Sequence, residues 1–139
     1  MKVQLTRRNN GTLSNDDIKG KVLVVDDDAG IRDIFSIILR NAGYSAEIKN
    51  NGEDLLKNNF TKPDIFLIDK QLSGLNGLDI CRHLKKQKET KSIPVIMISA
   101  SPDIGILSAG AGADYYIEKP FEIDYLLQVI EKYIKRSSD

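Results

Sequence analysis

Cysteine occurs once in these 139 residues, at Cys81, so no internal disulfide can form. That usage fits a reducing compartment. Cys81 stands at helical spacing from Leu78 and Leu84, which makes it a core side chain rather than a nucleophile. Net charge is also lacking: Lys plus Arg and Asp plus Glu number 20 each, which argues against an electrostatic nucleic-acid footprint. No apolar run approaches membrane-spanning length. Arg7 and Arg8 near the N-terminus have no apolar stretch behind them, so a secretory signal is not expected. Together these absences predict a cytoplasmic protein with neither nucleic acid nor membrane as partner. Histidine occurs once too, at His83 on a Lys/Arg-rich helical stretch, and is read as solvent-facing rather than as a phospho-donor.

What the chain does have is four short apolar runs that stop at reactive side chains. Val22-Leu23-Val24-Val25 meets Asp26-Asp27-Asp28, and Ile65-Phe66-Leu67-Ile68 meets Asp69. Val95-Ile96-Met97-Ile98 meets Ser99, and Tyr115-Tyr116-Ile117 leads, one residue on, to Lys119-Pro120. Short β-branched runs separated by helical segments read as parallel strands buried on both faces. A weaker strand covers residues 45–49. Between the strands, Ile31, Ile34, Phe35, Ile38 and Leu39 mark a core-facing helix that Gly43 ends. Asn51 is placed to cap a short helix over 52–58, and a third helix runs over 77–86. Gly105, Gly110 and Gly112 make the helix within 102–112 short or mobile, since each interior glycine costs about 0.5–1 kcal/mol relative to alanine. The last helix puts Ile123, Leu126, Leu127, Ile130 and Ile134 on one face. Lys85, Lys86, Lys88 and Lys91 read as a solvated cluster.

Five strand–helix units in strict alternation predict an α/β fold. With right-handed crossovers they form a doubly wound five-stranded parallel sheet of flavodoxin-like order 2-1-3-4-5, with helices on both faces. Ligands of such sheets gather outside the carboxyl ends of the strands, at the switch point between strands one and three. Residues 1–19 are polar and read as a flexible arm.

The topology collects Asp26, Asp27, Asp69, Ser99 and Lys119 along one sheet edge. Converging aspartates repel one another unless a cation sits among them, and Mg2+ suits oxygen donors of this kind. Asp27 and Asp69 would bind it directly, and Asp26 directly or through water. Asp28 is left to cap the first helix. Asp69 is the candidate nucleophile, because a carboxylate can attack phosphorus. Lys119 and Ser99 would face the phosphoryl oxygens. Taken singly, Lys119 reads as a surface lysine and Ser99 as a strand-end hydroxyl bonding local backbone.

In this order the residues resemble the response-regulator receiver domain of two-component signalling, over about 21–136. The family's acidic pair matches Asp26 and Asp27, and its phosphoacceptor matches Asp69. Its Ser/Thr matches Ser99, its Lys-Pro pair matches Lys119-Pro120, and its aromatic switch residue matches Tyr116. The resemblance implies a cis Lys119–Pro120 bond and a backbone carbonyl of Gln71 offered to the metal. It departs where the family often carries Met-Pro after the aspartate, here Leu72-Ser73. The segment between Ser99 and Lys119 is also short for the family.

Residues 20–137 are accordingly expected to form a stand-alone, chemotaxis-regulator-like receiver. It would take phosphoryl onto Asp69 from a sensor histidine kinase or a histidine phosphotransfer protein. With no output domain after residue 139, the expected output is contact with a downstream protein, or onward transfer in a phosphorelay. Tyr116 would switch the face made by the fourth helix, fifth strand and fifth helix. Phe121, Val129 and Tyr133 lie on or near that face, where they serve a partner, a homodimer or local packing. Competing readings are a phosphorylation-independent pseudo-receiver and a receiver fragment of a hybrid histidine kinase, which the starting Met and polar arm mildly disfavour. An aspartate-nucleophile phosphatase is disfavoured because Gln71 stands where a second acid/base carboxylate is needed, so no turnover enzyme is expected. A nucleotide- or flavin-binding domain ranks last, since no G-x-G-x-x-G or Walker sequence follows the first strand.

Overall fold

The computed structural model describes residues 18–138, and residues 1–17 of the expected arm lie outside them. Lys19, also assigned to that arm, donates its backbone N–H to the Gly43 carbonyl at 2.8 Å. Strands β1 (Lys21–Val25), β2 (Ser45–Lys49) and β3 (Ile65–Asp69) alternate with helices α1 (Ala29–Asn41) and α2 (Glu53–Leu56). A small hairpin follows, β4 (Gln71–Leu72) and β5 (Leu75–Asn76), leading into α3 (Gly77–Lys86). Then come β6 (Val95–Ser99), α4 (Ile104–Gly110), β7 (Tyr115–Glu118) and α5 (Ile123–Ser138). The five-stranded sheet has the order β2-β1-β3-β6-β7, all parallel, which is the expected order once the hairpin is counted.

Every residue of β3 and β6 is buried, which is why their sequences read as unbroken apolar runs rather than alternating ones. Alternation instead sorts side chains between two cores. Val22, Val24, Leu67 and Ile96 pack against Phe35 and Leu39 of α1 and Leu126 and Ile130 of α5. Leu23, Val25, Phe66 and Met97 pack against α2 and α4 and against Leu78, Ile80 and Leu84 of α3. Cys81 is fully buried there, and burial pushes its thiol up to about 11, so it stays an unreactive thiol.

The helix starts follow capping chemistry. Asp28 Oδ1 accepts the Ile31 N–H, and Asn76 Oδ1 accepts that of Leu78. Asn51 Oδ1 accepts from Glu53 and Asp54 at the start of α2. Gly43, at φ 97°, carries the chain out of α1 in the left-handed region. α4 is short, with Gly105 and Gly110 inside its seven residues.

Four sequence readings are corrected. Ile34 is 50% exposed, because it lines an open apolar groove with Ile31 and Phe121 instead of joining the buried stripe of Phe35 and Leu39. Ile123 is likewise half exposed, whereas Val129 and Tyr133 are buried. Tyr115 from β7 stacks on the Tyr133 ring at 5.6 Å, so of the readings left open for those two α5 residues it is local packing that holds. Lys85 is not solvated: its Nζ donates to the Lys91 and Ile93 carbonyls and to Asp114 Oδ2, at 3.2, 2.8 and 2.7 Å. His83 is half-buried, with Nε2 3.3 Å from Asn58 Oδ1.

Asp114 Oδ2 also accepts the Val95 N–H at 2.8 Å, fastening the start of β6 to the turn before β7. Asp114→Ala therefore leaves an ammonium and an amide without their shared acceptor. It is expected to lower stability by about 2 kcal/mol in urea denaturation. Asp114→Asn, which keeps one carbonyl acceptor, should lose less.

Candidate functional site

The parallel register levels the carboxyl ends of the inner strands. Val25 pairs with Ile68, Asp69 with Ile98 and Ser99 with Glu118. The residues that end or follow these strands are thus delivered to one rim. One carboxylate oxygen each from Asp26, Asp27 and Asp69 lies within 4.8 Å of the others. Asp26 is 2% exposed and Asp69 8%, while Asp27 is exposed. Lys119 Nζ stands 3.3 Å from Asp69 Oδ2 and 3.6 Å from Asp26 Oδ2. Two of the three carboxylates thus share one ammonium, and the hard oxygen donors of the cluster fit a small divalent cation.

Each carboxylate is held by a backbone donor. Asp28 N–H donates to Asp26 Oδ1 at 2.9 Å, and Gln71 N–H to Asp69 Oδ1 at 3.1 Å. Asp27 Oδ2 accepts from both the N–H and the hydroxyl of Ser73, at 2.9 and 2.7 Å. The Arg32 guanidinium donates to the Asp26 carbonyl at 2.9 Å. Burial raises the Asp69 pKa above the usual carboxylate value; the Gln71 N–H and the Lys119 charge oppose it, and the Asp26 charge adds to it.

Ser99 is buried, and its Oγ accepts the Ser101 N–H at 3.0 Å. That is the local backbone bond of a strand end, and it leaves the hydroxyl proton to point elsewhere. The Lys119–Pro120 peptide is cis. Tyr116 is 37% exposed, and a Cβ built on Gly105 would stand 3.1 and 3.2 Å from two of its ring carbons and 3.3 Å from its hydroxyl. Its ring therefore lies on the α4 backbone where a glycine makes room. Sequence reasoning missed the contacts of Ser73 and Arg32 with the acidic pair. A polar Ser-Gly turn close after the Asp69 strand end places Ser73 near the site but does not name Asp27 as its partner.

The family model described as response regulator receiver domain matches residues 22–131. The chain is a response regulator receiver domain. Among its curated relatives, the DNA-binding response regulator MtrA of Mycobacterium tuberculosis is 33% identical over 127 residues, which cover 89% of this chain and 54% of MtrA. The receiver therefore spans about half the length of the curated relatives it matches. Among solved structures, a putative response regulator from Chloroflexus aurantiacus is 32% identical with a TM-score of 0.78, covering 84% of this chain and 98% of that one. Chemotaxis response regulator CheY4 of Vibrio cholerae is 28% identical with a TM-score of 0.74, over 81% and 97% of the two chains. Among the described residues, no helix is long and apolar enough to cross a membrane.

Proposed function

We propose that this receiver accepts a phosphoryl group on Asp69 from a phosphohistidine of a sensor kinase or phosphotransfer protein, in a Mg2+-dependent reaction. The carrying observation is the convergence of three carboxylates within 4.8 Å, with Lys119 Nζ 3.3 Å from Asp69. Asp26, Asp27 and Asp69, with the Gln71 backbone carbonyl, would hold the Mg2+. When bound, Mg2+ supplies charge neutralisation to the phosphoryl oxygens. An Asp69 oxygen forms the new P–O bond while the P–N bond of the donor breaks and its electron pair returns to the imidazole. Lys119 sets an ammonium beside the same oxygens, and the Ser99 hydroxyl donates to one of them. The reaction leaves the protein itself phosphorylated, so it is a signal rather than turnover. Hydrolysis of the aspartyl phosphate resets it.

An apolar groove of about 390 Å³, lined by Ile31, Ile34, Phe35, Ala100, Pro120 and Phe121, opens beside Lys119. It supports the seating of a protein donor next to Asp69, and it accounts for the exposure of Ile34. The test of the whole reading is incubation with a small phosphodonor, with and without Mg2+. Acid-stable, base-labile phosphate on Asp69 that forms only with Mg2+ is the expected result. Beryllofluoride binding provides the non-covalent counterpart.

Tyr116 carries the signal outward in this reading. Phosphate draws the Ser99 hydroxyl inward, the Tyr116 ring follows, and its seat on Gly105 empties, which biases α4 and β7 toward a second arrangement. Tyr116→Ala should leave phosphate incorporation within about twofold of wild type, because the ring touches no reacting atom. It should abolish the beryllofluoride-induced amide shifts of residues 104–110 while keeping those of residues 69–71. Retention of the α4 shifts in this variant would remove Tyr116 from the switch.

A further inference from the structure

We infer that Ser73 is a positioning residue that presets Asp27 for Mg2+. The inference rests on reading Asp26, Asp27 and Asp69 as the metal site. Asp26 and Asp69 are buried and are each held by an N–H two residues on in the chain, Asp28 and Gln71 respectively. Asp27 is exposed, and an exposed carboxylate on a short side chain is otherwise free to change rotamer. Its restraint comes from 46 residues away, as two bonds from one residue to one oxygen, Oδ2. Oδ1 keeps its lone pairs for a cation.

Ser73 owes its place to the β4–β5 hairpin, whose pairs Gln71↔Asn76 and Leu72↔Leu75 enclose Ser73 and Gly74. Gly74, at φ 73°, takes the positive φ at the second turn position, which glycine adopts without steric cost. The hairpin starts two residues after Asp69, so one short loop fixes both the nucleophile and the Asp27 restraint. Proline at position 73 would have neither an N–H nor a hydroxyl to offer.

Donors that orient a metal ligand typically change affinity by about 10–100-fold when removed. The test is an NMR titration of the full chain with Mg2+, following the amides of residues 27, 69 and 71, with urea midpoints as a folding control. Ser73→Thr, which keeps both donors, should match the wild-type Kd within about twofold. Ser73→Ala, which keeps only the N–H, should weaken Mg2+ several-fold, and Ser73→Pro about tenfold or more. Equal or tighter Mg2+ binding by Ser73→Ala would overturn the inference, because Ser73 would then be idle or a competitor of the metal. Wild-type protein that shows no Mg2+-induced shifts would overturn the metal-site reading itself, and the inference with it.

Discussion

Asp69→Asn is expected to take up no base-labile phosphate, whatever the donor or Mg2+ concentration, if Asp69 is the phosphoacceptor as proposed. The carboxamide has no anionic oxygen to attack phosphorus, and neighbouring Asp26 and Asp27 are committed to holding the cation in the proposed site. The same substitution reports on stability with a sign fixed by Asp69 itself. Burial raises its pKa above the usual carboxylate value, so the folded protein favours the protonated form. The stability contributed by that proton is fully present below the unfolded pKa and is lost as pH rises through the folded pKa. At neutral pH, without metal, wild type therefore carries an ionised group that folding disfavours, and Asp69→Asn melts higher. The gap should close as the solution is acidified through the Asp69 titration. Adding Mg2+ should raise the melting temperature of wild type more than that of the variant. A variant that still acquires base-labile phosphate, or one that melts lower than wild type at neutral pH without metal, would contradict this account of the site.

The parts of this molecule written in local chemistry were legible from the sequence. The apolar runs of β3 and β6 are buried on both faces, and Asp28 caps α1 as its place after the acidic pair requires. The bounds of α3 follow from the turn before Gly77 and from its apolar period, and α4 is short where the glycines stand. What failed depended on neighbours that periodicity does not name. Ile34 satisfies the α1 pattern, yet its side chain falls over a groove rather than under a strand. Val129 and Tyr133 stay open between partner and packing in the sequence for the same reason: it is Tyr115 from another element that covers Tyr133. Lys85 looks like any helix-end lysine until Asp114, 29 residues on, is folded against it. The β4–β5 hairpin escaped notice because two residues per strand carry no alternation to detect. The same rule holds at the site: each strand end announced its reactive residue, while the tie from Ser73 to Asp27 spans two strand ends and is visible only in three dimensions.

Gly77→Ala is expected to cost about 3 kcal/mol, against a helix propensity that by itself would favour alanine by about 1 kcal/mol. Gly77 opens α3, is buried, and donates its N–H to the Lys70 carbonyl at 2.7 Å. A Cβ there would overlap the Asp69 carbonyl oxygen and crowd the Lys70 Cα. Both are backbone atoms, so no rotamer change relieves the contact. Either α3 withdraws, pulling Leu78, Ile80 and Leu84 from their core, or the Asp69–Lys70 peptide moves and takes the proposed nucleophile with it. Stability and phosphate uptake should therefore fall together, which distinguishes this substitution from a remote core mutation. Gly110→Ala in α4 is the matched control. A Cβ there meets nothing within 4 Å, so alanine should stabilise by about 0.5–1 kcal/mol and leave phosphate uptake unchanged. Urea denaturation and timed incorporation from a small phosphodonor measure both quantities on the same samples. If Gly77→Ala keeps wild-type stability and wild-type labelling, α3 does not press on the Asp69 backbone, and the proposed phosphoacceptor is held in place by its side-chain bonds to Gln71 and Lys119 alone.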